Sequence, residues 1–334
     1  MSQLALGERP LDELVDAVTE RTDEDPESVR RWLDPFTDGG TVTPAAVEAT
    51  VTDVSQIIAT AETRADLATR ARESASDAVA DAPDLDVVDV RDREFDERLA
   101  DLREEVQALS AALGAATDDL DSPVRVYRAA VELHDITTDA QNVVRTAHDL
   151  ETELEAFEAW LGSADRRHGG LAADVDAAAE SAESVAETVA SLREATDPDR
   201  ARRFDAAVQT RVLDVVVDDL RAEAADLRAW AERDGADFPT DVDARIDEVE
   251  TEVAASASAL ADGPSLDGEF GDRLDELDAA LSDVEPPVAW GLVDETVAEA
   301  RASASADESA TGPAASDDTG PSESGRAVDR NGAR

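Results

Sequence analysis

The stretch from Val88 to Leu120 reads VDVRDREFDERLADLREEVQALSAALGAATDDL, and its spacing decides the fold class. Val88, Phe95, Leu102, Leu109 and Ala116 recur every seven residues, with Leu99, Val106, Leu113 and Leu120 set between them at alternating steps of four and three. That is a heptad seam, in which an α-helix keeps one narrow apolar stripe turned toward a partner. After the turn residues DDLDSP at 118–123 a second seam begins. It runs Leu133, Ala140, Ala147, Leu154 and Leu161 in one position and Ile136, Val143, Leu150 and Phe157 in the other. Two such helices joined by a short turn predict an antiparallel coiled-coil hairpin over 86–162. Layering permits two registers, one heptad apart. Centring the reversal on Asp121 selects the one that sets Leu102 against Ala140, Leu109 against Leu133, Phe95 against Ala147 and Val88 against Leu154. The same seams allow pairing between chains, so a homo-oligomer is among the expected assemblies.

Working outward, residues 1–60 read as a small helical module after a short lead. Leu11, Leu14, Val15 and Val18 share one face, Asp25-Pro26 caps a second helix carrying Val29, Trp32 and Leu33, and Gly39-Gly40 ends the unit. Thr43-Pro44 caps the next helix, with a break expected near Thr60 and a helical connector over 61–85. Residues 163–302 continue as helical segments punctuated at Asp197-Pro198, Phe238-Pro239, DGPSLDG and Pro286-Pro287. From Ser303 to Arg334 large apolar residues almost vanish, which predicts a disordered acidic tail. The fold class is therefore all-α, built from long antiparallel helices.

Charge narrows the setting. The chain carries 81 Asp and Glu against 30 basic residues, all of them arginine, for a formal net charge of -51. The acids are spread along the helices instead of forming one block, which describes a surface solvated in molar salt, where the Debye length is about 3 Å. Cysteine is absent, excluding disulfides, thiolate metal sites and a cysteine nucleophile. The first residues lack a basic segment followed by an apolar run, and no stretch approaches the length of a membrane span. A cytoplasmic protein that does not insert into membranes is expected.

Chemistry-bearing motifs are few. His134 and His148 each follow a seam position and lack the Glu-x-x-His pairing of bundle metal sites, so surface roles are expected. Arg166, Arg167 and His168, ahead of Gly169-Gly170, form the densest cationic cluster and are a candidate anion-binding loop. The alternative for the same residues is that they complement the C-terminal end of the preceding helix. No phosphate loop, dinucleotide fingerprint or zinc signature occurs, so neither an enzyme nor a cofactor is expected. The segment 11–50 has the outline of a helix-turn-helix, but Arg21, Arg30 and Arg31 are outnumbered by acids, so direct nucleic-acid binding is not expected. Trp32 and Phe36 serve there as core residues or as anchors for a protein partner.

The stretches DPESVRRWLDPFTDGGTVTPAAVEA, ATAETRADLA and FEAWLGSADRRHGGLAADVDA resemble those of the haloarchaeal halo transducer proteins. The resemblance implies a cytoplasmic coiled-coil protein of a haloarchaeon without a catalytic residue. It suggests signalling, although membrane helices and methylation pairs are missing here. Together these readings lead to the expectation of a non-enzymatic scaffold or adaptor. Its rivals are an anion or ligand sensor using Arg166, Arg167 and His168, and a chromosome-associated coiled coil acting through partners.

Overall fold

The computed structural model describes residues 7–118, 120–196, 199–266 and 268–310. Helices dominate it, as the periodicity requires. At the N-terminus β1 (Arg9–Pro10), α1 (Leu11–Thr19), α2 (Pro26–Leu33), β2 (Thr37–Asp38) and β3 (Thr41–Val42) form one module. Asp25 caps α2 by accepting from Ser28 N at 2.9 Å, as its position before Pro26 predicts. Three very short strands, in the order β1-β3-β2, were not legible in the sequence. Gly39 and Gly40 join β2 to β3 with φ of 58° and 80°, a left-handed pair that suits a two-residue hairpin. Leu14, Val18, Val29, Leu33 and Phe36 fill the core of the module.

The next three helices are long: α3 (Pro44–Asp81), α4 (Asp86–Thr117) and α5 (Pro123–Leu161). They pack mutually into a three-helix bundle. Two expectations are corrected here. Helix α3 passes through Thr60 without a break, the hydroxyl of that residue bonding back to Gln56 O at 2.9 Å. Residues 61–85 are not a mere connector, because Ala61, Ala65, Ala68 and Ala75 are buried against the other two helices. Alanine gives little periodic hydrophobic signal, yet its small side chain lets helices approach closely, so the helical character of 44–81 was legible in the sequence while its place as the third member of the bundle was not.

The hairpin register is also corrected. Phe95 rests on Phe157, centroids 5.2 Å apart, and Arg98 pairs with Glu153 at 2.5 Å, which places α4 about one heptad along from the expected Phe95–Ala147 layer. The reason lies at the turn. The start of α5 is occupied by the N-terminal module: Tyr127 is buried there beside Glu24, and His134 meets the ring of Trp32 at 4.8 Å. The first turns of α5 therefore overshoot α4, and the linker carries Leu120 into the core instead of forming a tight reversal.

A second bundle follows from α6 (Ala164–Glu194), α7 (Arg200–Asp234) and α8 (Val242–Ala261), with α9 (Glu269–Ser282) and α10 (Trp290–Ala310) laid against α7. The valine run in α7 is helical, as its flanks suggest, and buries Leu213, Val217 and Leu220. The cap expected at Asp197-Pro198 lies outside the described residues, and Asp199 caps α7 by accepting from Ala201 N at 3.0 Å. Helix α10 runs on to Ala310, past the Ser303 boundary expected for a disordered tail, and the remainder of that tail lies outside the described residues. No helix among the described residues is long and apolar enough to cross a membrane.

Candidate functional site

The candidate anion loop is not a loop. Ser163 caps α6 by accepting from Arg166 N at 3.3 Å, so Arg166, Arg167, His168 and the two glycines all lie in its first two turns. Their side chains diverge. Arg166 is exposed, whereas Arg167 is only 3% exposed and turns inward. Its guanidinium donates to Leu161 O at 2.8 Å and to Trp160 O at 3.3 Å, carbonyls of the last turn of α5, the second of which also accepts from Ser163 N at 3.2 Å. It also pairs with Asp234 at 3.4 Å and stands over the Trp230 ring at 3.7 Å. His168 packs edge-on against Phe238 at 5.3 Å; burial, and then the neighbouring Arg167, hold its imidazole below the ordinary value. These contacts do not aim the trio at a common ligand.

Of the candidate docking residues, Phe36 belongs to the module core and Trp32 is half-buried beside His134. His134 and His148 are both exposed, and no metal-holding group of side chains occurs among the described residues. On α2 the outward face presents Glu27, Arg30 and Arg31, with Arg30 paired to Asp12 of α1. One of its few cations is thereby neutralised.

The densest buried chemistry lies elsewhere, where the two bundles meet. Trp160 and the seam residue Leu161 stand at the end of α5, and only Gly162 and Ser163 separate them from α6. Trp160 meets Trp230 of α7 edge-on at 5.7 Å and Phe157 at 5.9 Å. Arg91 of α4 lies over Trp160 at 4.5 Å and donates to Glu223 of α7 at 2.7 Å. One turn along α7, Asp226 accepts from Val87 N at 2.9 Å, satisfying an orphan N–H of the first turn of α4. One turn the other way, Asp219 accepts from Val288 N at 2.8 Å and from the Trp290 indole at 2.9 Å, fastening the start of α10.

Together these groups enclose a cavity of about 90 Å³, lined by Arg91, Glu94, Asp219, Glu223, Val288 and Trp290 among others. Glu223 is buried, and burial pushes its carboxyl up against the opposing pull of Arg91. Burial likewise raises Glu94, with Arg98 opposing. The sequence shows these acids only as members of a crowd. What distinguishes them is that α4, α6 and α7 converge here, which heptad spacing cannot reveal.

The fold and this joint define an all-α protein of two three-helix bundles with a small N-terminal module. Compared with protein-family models, with curated proteins and with solved structures, the chain matches none of them.

Proposed function

We propose that this chain is a non-enzymatic scaffold or adaptor of a halophile's cytoplasm, related to the halo transducer proteins, with the N-terminal module as its docking head. The separation of its surfaces carries the reading. The module sits on the first turns of α5, while the second bundle joins at the last ones. The intervening helix spans 39 residues, about 58 Å at 1.5 Å per residue. A head held that far from a second helical surface suits bringing two proteins together. The acidity of the head and the pairing of Arg30 with Asp12 favour a protein ligand over nucleic acid.

The test is affinity capture in molar KCl with the intact chain as bait, beside a Glu27→Arg, Arg31→Glu double variant of the exposed α2 face. A discrete set of proteins retained by the native chain and lost by the variant is expected. Recovery of DNA, or identical capture by both baits, refutes the reading.

A further inference from the structure

We propose that the joint between the bundles is a proton-responsive hinge: Arg91 gathers more carboxylates than its single charge balances, so the joint closes when Glu223 is protonated and loosens when it ionises. The arrangement supplies the reason. Glu223 is 6% exposed and has Arg91 as its cationic partner at 2.7 Å. Facing it are Asp219 on its own helix and Asp174 from α6, the latter at the solvent rim, with Glu94 from α4 lining the same cavity. Asp226, a turn away, is spent on Val87 N. Helix α5 brings Glu153, which acts on Glu94 alongside Arg98, and Pro287, Val288 and Trp290, the residues that line the cavity at the start of α10, carry no titratable group, only the two N–H donors taken by Asp219. These elements belong to both bundles, so repulsion among their carboxylates acts directly on the contact between them.

The direction of the effect follows. The carboxyl of Glu223 is raised by burial, with Asp174 and Asp219 adding to the rise and Arg91 opposing it. The closed joint thus binds a proton more tightly than an open one, in which Glu223 meets water. Closure gains stability as pH falls through the raised value, and the gain is complete below the ordinary carboxylate value. As pH climbs the gain is lost and the joint loosens.

The absence of cysteine allows spin labels at Ala111→Cys on α4 and Ser184→Cys on α6, both exposed and well away from the joint. Electron–electron distance measurements in molar KCl are expected to give one narrow population near about pH 5 and an added, broader one near about pH 8. Glu223→Gln keeps an acceptor for Arg91 without the charge, and is expected to hold the narrow population at both. Should that variant lose helicity by circular dichroism, Glu94→Gln and Asp174→Asn serve instead. Each removes one like charge and is expected to move the midpoint of the native transition to lower pH. A distribution that ignores pH, a response that survives Glu223→Gln in a folded variant, or midpoints unmoved by the neighbour substitutions overturns the proposal.

Discussion

Arginine is the only strong cation in this chain, and the structure spends it on joining helices. Arg72 of α3 reaches both Asp92 and Asp96 of α4 at 2.8 Å, Arg221 of α7 reaches Asp247 and Glu250 of α8, and Arg203 donates to Leu260 O near the end of α8. Arg167 is the most consequential of them. A planar fork of donors can satisfy two backbone carbonyls and a carboxylate while its face lies on an indole, which a lysine ammonium cannot reproduce. Arg167→Ala strands the carbonyl of Leu161, leaves Asp234 without its partner and empties the contact on Trp230, so a loss of about 2–4 kcal/mol is expected from chemical denaturation. Arg166→Ala, on an exposed side chain, is expected to stay within about 0.5 kcal/mol. The cationic trio was visible in the sequence, and so was its nearness to a helix end. Which of the two arginines turns inward was not, because that depends on where Trp230 and Asp234 arrive from a helix sixty-odd residues later.

At the level of the helix, boundaries marked by strong local chemistry were legible: Asp25-Pro26, Thr43-Pro44, Phe238-Pro239 and Pro286-Pro287 all fall where helices start or stop. Partnerships were less so. The seams on α4 and α5 promised a two-helix hairpin, and the alanine line that brings α3 into it was silent to hydrophobic counting. Because Ala68 is fully buried, Ala68→Leu has no room to expand into, and a destabilisation of about 1–3 kcal/mol is expected, read from the shift in denaturant midpoint. Register escapes the sequence for a related reason: the turn residues alone favour a reversal at Asp121, whereas the N-terminal module claims the first turns of α5. With Phe95 on Phe157, α4 is displaced about one heptad from the expected register, which carries Leu102 away from Ala140 and toward the Ala147–Leu150 turn of α5. Leu102→Cys with Ala147→Cys is expected to oxidise within one monomer, and Leu102→Cys with Ala140→Cys to remain reduced, as non-reducing gels after mild oxidation will show.

Across the whole molecule, the net charge of -51 sets the conditions under which any of this packing closes. Thin bundles rich in alanine bury modest apolar area, and unscreened repulsion opposes them in dilute buffer. Circular dichroism along a KCl titration is expected to show helix content rising toward molar salt; full helicity without salt would remove the halophile reading. The joint between bundles stands apart from this surface effect, since its carboxylates are partly or wholly withdrawn from the solvent that salt screens. One consequence of the layout concerns the order in which the protein is made. Everything the first bundle needs, from Leu11 to Leu161, precedes Gly162 and Ser163, and the second bundle follows without borrowing a strand or helix from the first. A nascent chain can therefore close the first bundle around the docked module while α6 is still being synthesised, and add the second onto a finished platform.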